Sequence, residues 1–244
     1  MELKKIITKL RYGSKEPIFI IGCGHSGTSI MLSILSFHPE VYGIPNETFL
    51  FLDKPFNYNL IKKYFNDAGN KRLLEKTPKH VSKITDIIKV FPKAKFIVMV
   101  RDGRDVASSL KKRNGDYLGG VNRWVNDNNL WLNSNFSENI FMVKLEELTL
   151  KGYPIIEEVL NFLNLKPYPE IMNYHKEERE FFKNNRTNKE YDDHTQYRNT
   201  QINRPLQAST VRWINEISDE EKAVFKDKAN DLLIQFGYEK NQEW

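Results

Sequence analysis

Residues 17–29, PIFIIGCGHSGTS, constrain the fold of this chain more than any other stretch. Ile18, Ile20 and Ile21 make a short β-branched run that closes on Gly22, the pattern of a buried strand. The turn from Gly22 to Ser29 is rich in small residues, and SIMLSILSF beyond it is an apolar segment of helical length. Strand, glycine-rich turn and helix in that order make an anion site. Gly24 and Gly27 let the backbone come close, and the N–H groups and dipole of the helix start point at the anion. The hydroxyls of Ser26, Thr28 and Ser29 add donors, and His25 can donate from its ring.

A nucleoside-triphosphate loop of this type reads GxxxxGK[ST], its lysine reaching the β- and γ-phosphates. Gly22 and Gly27 keep that spacing, but Thr28 stands in the lysine position. The loop therefore suits a ligand other than ATP.

KFIVMV (95–100) and NIFMVKL (139–145) read as two further strands. Helical patterns fall at 79–91, at 103–113 and at about 121–133. Strands alternating with helices predict an α/β fold, a central parallel sheet flanked by crossover helices. Beyond residue 150 the pattern is helical at 153–164, about 168–183 and 218–236. The last has Ser218 and Glu221 at capping-box spacing and stops at Gly237. Residues 184–207 are polar and aperiodic and read as a long loop that covers cofactor or substrate. Residues 1–16 read as a solvated leader, with a short amphipathic helix as the alternative. A chain of 244 residues is expected to be one domain, 1–244.

Several classes are excluded by what is missing. No run approaches the ~18–20 apolar residues of a membrane span. Cys23 is the one cysteine, so there is no intrachain disulfide, and a cytoplasmic location is expected. The five histidines form no ligand pair, so no metal is expected. A net charge of +5 favours anions, but no nucleic-acid-binding signature accompanies it.

A second anion site follows the strand at 95–100, in RDGRDVASSLKKR. Arg101 leaves the carboxyl end of that strand, where open α/β sheets bind ligands. Ser109 lies eight residues on, about two helical turns, and Arg113 one turn further. Two guanidinium groups and a hydroxyl can thus meet on one phosphate, arginine being suited to oxyanions by its fork of donors. Alternatively, Arg101, Asp102, Arg104 and Asp105 pair among themselves.

PIFIIGCGHSGTS resembles the 5′-phosphosulfate loop GxxRSGT[ST] of the sulfotransferases that use 3′-phosphoadenosine 5′-phosphosulfate (PAPS). FIVMVRDGRDVASSLKKR resembles their 3′-phosphate motif, which gives Arg101 and Ser109 that role and leaves Arg113 as a further basic contact. VKLEELTL and STVRWINEISDEE resemble later segments of the family and place Arg212 near the cofactor. The style is closest to the tyrosylprotein and carbohydrate types and their bacterial relatives. The resemblance implies a P-loop NTPase-like fold, PAPS as donor, and PAP as product without a metal. It also implies an acceptor with a hydroxyl group, on a carbohydrate, phenol or peptide.

By the same resemblance, Glu47 in NETFLF is the candidate base, with Glu40, His25 and His80 as alternatives. Lys76 in LLEKTP is the candidate cation for the transferring group, with Lys79 behind it. His25 departs from the family's usual arginine or lysine, so the loop's fixed charge must come from elsewhere. Two other readings remain at this point: a small-molecule kinase of P-loop type, and a non-catalytic nucleotide-binding relative.

Overall fold

The computed structural model describes residues 2–53, 55–179, 181, 193–208 and 211–244. The chain begins with α1 (Glu2–Tyr12), β1 (Ile18–Gly22), α2 (Thr28–Leu35), β2 (Val41–Gly43), α3 (Tyr58–Ala68) and β3 (Arg72–Lys76). A 3₁₀ turn at Pro78–Lys83 leads into α4 (Ile84–Val90), β4 (Lys95–Val100), α5 (Gly103–Asn114), α6 (Tyr117–Leu132) and β5 (Ile140–Lys144). Then come α7 (Leu145–Lys151), α8 (Tyr153–Phe162), α9 (Asp193–Ile202) and α10 (Asp219–Gln235).

The five strands form one parallel sheet in the order β2-β3-β1-β4-β5. Both faces are buried, so β1 and β4 read as continuous apolar runs. Phe19, Ile21, Phe96, Val98 and Val100 point to one face, against α4, α5, α6 and α10. Ile18, Ile20, Ile97 and Met99 point to the other, against α2 and α8. Parallel pairing puts all five carboxyl ends on one edge of the sheet. The chain crosses β1 on its way from β3 to β4, which makes that edge a topological switch point.

Four expectations are corrected. The presumed leader is helical over Glu2–Tyr12. Part of the presumed loop, Asp193–Ile202, is α9, while residues 184–192 lie outside the described residues. The helix expected at about 168–183 is a 3₁₀ segment at Pro169–Lys176, and 182–183 are not described. The stretch at 79–91 divides into the 3₁₀ turn and α4. Two strands escaped the sequence pattern. β2 has three residues, too few for a periodicity, and β3 ends in Glu75 and Lys76, charged residues that are nonetheless fully buried.

The capping box of α10 is formed. Ser218 Oγ accepts from the Glu221 N–H at 3.3 Å, and Glu221 Oε2 accepts from the Ser218 N–H at 3.0 Å. Replacing Ser218 with Ala is expected to cost about 1 kcal/mol, since the first turn loses one acceptor. Thermal unfolding followed by circular dichroism should show Tm lowered by about 2–4 °C.

Candidate active site

The carboxyl edge of the sheet gathers the chemically interesting residues. Gly22–Thr28 follows β1, Glu47 follows β2, Lys76 ends β3 and Arg101 follows β4. Glu40 precedes β2 and is exposed, so it lies at the opposite end of the sheet.

The loop after β1 is shaped by its backbone. Gly22, His25 and Gly27 have φ of 128°, 70° and 86°, left-handed values that glycine adopts without strain and histidine adopts less readily. A Cβ on Gly27 would stand 2.7 Å from Cδ1 of Leu145, so no side chain fits there. Ser26 is fully buried, and its Oγ has no hydrogen-bond partner among the described residues. Thr28, also buried, opens α2, while Ser29 and Gly24 are partly exposed. A buried hydroxyl without a partner costs free energy unless something binds it. Burial pushes the Cys23 thiol up, with Asp127 adding to the shift, so it stays protonated and is no nucleophile.

Lys76 is completely buried, yet a carboxylate comes to meet its side-chain nitrogen. Its Nζ donates to Glu47 Oε1 at 2.8 Å, and Arg198 on α9 donates to the same oxygen at 2.8 Å. Burial lowers the Lys76 pKa to about 8 against the attraction of Glu47. Burial opposes the charge on Glu47 too, but Lys76 and Arg198 outweigh it and hold the carboxyl below its usual range.

The segment that carries Glu47 is tied down from β3 and the following 3₁₀ turn. Thr48 Oγ1 donates to Glu75 Oε1 at 2.8 Å, and the Thr48 N–H donates to Thr77 Oγ1 at 3.1 Å. His80 Nδ1 meets Glu75 Oε2 at 2.9 Å, and the Phe51 N–H donates to His80 Nε2 at 3.4 Å. His80 is fully buried with both ring nitrogens engaged, so it supports the loop rather than reaching an acceptor. Asn46 and Phe49 flank this turn with φ of 70° and 53°, strain of the kind that collects at functional sites. Lys79 is exposed on the 3₁₀ turn.

Around Asp105, Arg101 and Ser109, both expected at the 3′-phosphate, come together with Arg212, expected near the cofactor. Arg101 donates to Asp105 Oδ2 at 3.2 Å and to the His25 carbonyl at 3.4 Å. The backbone N–H groups of Arg212 and Trp213 donate to Asp105 Oδ1 at 3.1 and 3.0 Å. The Arg212 guanidinium reaches Ser109 Oγ at 3.4 Å. Arg101 Nε is buried without a partner among the described residues. Arg113 is exposed on the last turn of α5 and does not join this group. The internal pairing also exists: Arg104 binds Asp102 at 2.8 Å and stacks on Trp213 and Trp244, which fastens the C-terminal segment to α5.

Two cations were not foreseen. Arg123 on α6 lies over the loop, so close that a Cβ on Gly24 would stand 2.9 Å from its guanidinium. Arg198 reaches the site because Ile202, one turn later on the same face, is buried against α2, where Ser33 Oγ donates to its carbonyl at 3.0 Å. Each is the one arginine of its helix, which a sequence does not separate from a solvated one. Among the described residues no His/Cys/Asp/Glu group could hold a metal ion, and no helix is long and apolar enough to cross a membrane.

With ¹³Cε-lysine labelling, one resonance should titrate near pH 8, well below the ordinary 10.5 of lysine. It should vanish in Lys76→Met. In Glu47→Gln its pKa should fall further, because the attraction that opposes desolvation is gone.

A family model described as the sulfotransferase family matches residues 45–170, just over half of the chain. Protein-tyrosine sulfotransferase 1 of Danio rerio is 24% identical over 220 residues, 71% of this chain and 60% of that protein. A protein from Aquifex aeolicus is 25% identical over 210 residues, 68% of this chain but only 28% of its own length. The chain thus spans less than two thirds of the length of each of these two relatives. The sulfotransferase domain of the Synechococcus PCC 7002 olefin synthase superposes with a TM-score of 0.62 at 16% identity, covering 87% of this chain and 95% of that one. Mouse sulfotransferase SULT7A1 complexed with PAP gives 0.62 at 14% identity, covering 88% and 85%. The parallel sheet with its glycine-rich loop is the P-loop-like fold of these structures, and the chain belongs to the sulfotransferase family.

Proposed function

We propose that the protein transfers the sulfuryl group of PAPS to an acceptor hydroxyl. The observation that carries this reading is the edge at which Gly22–Thr28, Lys76 and Arg101 meet, an anion cradle with buried cations and no loop lysine. Ser26 Oγ and Arg101 Nε, buried atoms without a partner among the described residues, suit two anionic groups, one at each end of the donor. The PAP in the SULT7A1 complex lends the same support.

In this reading Gly24, His25, Ser26, Gly27, Thr28 and Ser29 hold the 5′-phosphosulfate by backbone N–H groups and hydroxyls. Arg101, Ser109 and Arg212 hold the 3′-phosphate, and Arg113 contributes from the rim. When bound, PAPS supplies the sulfuryl group for an in-line displacement by the acceptor oxygen. Arg123 and Arg198 supply the fixed charge that His25 does not.

Glu47 takes the acceptor proton. Its Oε1 is held by Lys76 and Arg198, and its Oε2 is used by neither. A carboxylate clamped by two cations is a weak base. As Lys76 turns toward the anion in the cradle it releases Glu47, whose proton affinity rises when needed. The acceptor belongs to the class of phenol, carbohydrate or peptide hydroxyls, the tyrosine of a peptide being favoured by the Danio rerio relative.

Transfer from labelled PAPS to a panel of peptides, phenols and sugars tests the reading, and label on none of them would sink it. Once an acceptor is found, Glu47→Gln should lower kcat by about 10²–10⁴-fold. Lys76→Ala should lower kcat by about 10²-fold or more and leave PAP affinity nearly unchanged. An equal loss in both would make Lys76 a binding residue only. Activity should fall as pH rises through about 8, where Lys76 loses its charge, and Lys76→Arg should move that limb upward.

A further inference from the structure

α1 packs with the wrong side in. Leu3, Ile6, Ile7 and Leu10 fall at i, i+3, i+4 and i+7, the stripe that a surface helix normally buries. Here they are 70%, 51%, 39% and 83% exposed. The buried side is the opposite one, carried by Thr8 and Tyr12. Tyr12 stacks on Phe65 of α3 at 4.5 Å, and the Lys5 ammonium sits 5.9 Å from the Phe56 ring centroid. The apolar stripe is therefore no by-product of packing.

Its flanks are basic. At 3.6 residues per turn, Lys4 and Arg11 border the stripe on one side and Lys9 on the other. Four cations, Lys4, Lys5, Lys9 and Arg11, stand against the single acid Glu2 in this helix. None of the four forms an ion pair with a carboxylate among the described residues.

We propose that α1 is a docking surface for an anionic lipid bilayer. The stripe enters the acyl boundary while Lys4, Lys9 and Arg11 stay at the level of the phosphate headgroups. A second copy of the chain is the poorer occupant on two counts. The four side chains expose on the order of 400 Å², half of the roughly 800 Å² that each partner of a standard interface buries. Two such helices would also set basic flank against basic flank. A bilayer needs no minimum patch and attracts the flanks. One short helix gives reversible attachment, so it would bring the active site to acceptors at a surface.

Sedimentation of the full chain with vesicles tests this. One set is pure phosphatidylcholine, the other equal parts phosphatidylcholine and phosphatidylglycerol. Binding is expected to the anionic set, weaker by about tenfold or more on the neutral set and falling with added salt. A Leu3→Ser/Leu10→Ser variant removes the stripe, and a Lys4→Gln/Lys9→Gln/Arg11→Gln variant removes the charge. Each should weaken vesicle binding about tenfold or more, with melting temperature and PAP affinity unchanged, since these side chains are exposed. No binding to anionic vesicles, equal binding to both sets, or full binding by both variants would overturn the proposal. So would a dimer, seen by analytical ultracentrifugation, that the Leu3→Ser/Leu10→Ser change dissolves while the wild type ignores vesicles. Because PAP affinity is read separately, failure here leaves the sulfotransferase reading untouched.

Discussion

The buried ammonium of Lys76 is the constraint on which the rest of the site depends. A lysine at the carboxyl end of a central strand must give up its hydration, and that costs several kcal/mol unless an opposite charge comes to it. Glu47 is that charge, 2.8 Å away. To bring it there the chain after β2 bends through Asn46 and Phe49 in left-handed conformations and is fastened by Thr48 to Glu75 and Thr77. Glu75 is itself buried and matched by His80. The two charged residues that end β3 therefore organise the segment beside them, one by holding Glu47 and the other by holding its neighbour.

A similar economy governs the other half of the edge. Asp105 accepts from Arg101 and from the backbone of Arg212 and Trp213, so one carboxylate joins α5, the end of β4 and the segment leading to α10. Arg104, stacked on Trp213 and Trp244, holds that segment from the other side. The arginines are thus positioned before any anion arrives, which reduces the entropy lost on binding. The proposed donor site combines this preorganised cluster with a loop whose hydroxyl and N–H groups are already in place.

Much of this was legible in the sequence, for identifiable reasons. β1 and β4 are buried on both faces, so they appear as unbroken apolar runs. Ser218 and Glu221 announced the start of α10 by their spacing. Arg101 and Ser109 were read from the segment that follows a strand, whereas Glu47, Lys76 and Arg212 came only from the resemblance to the sulfotransferases. β3 was hidden because buried charges break the apolar pattern, and it is those charges that matter most. Arg123 and Arg198 were hidden because their meaning depends on what their helices rest on. α1 misled in another way: its apolar stripe is plain in the sequence, but nothing in a sequence says that the stripe faces outward.

The central claim is that this edge binds a nucleotide through two separate anionic groups. Isothermal titration of the protein with PAP, with adenosine 5′-phosphate, which lacks the 3′-phosphate, and with ATP–Mg²⁺ tests it most directly. PAP should bind tighter than adenosine 5′-phosphate by about tenfold or more, because each charge-assisted contact of Arg101 and Arg212 to the 3′-phosphate is worth about 1.5–3 kcal/mol. ATP–Mg²⁺, for which the loop has no lysine, should bind weakly. Equal affinity for PAP and adenosine 5′-phosphate, or preference for ATP–Mg²⁺, would contradict the account.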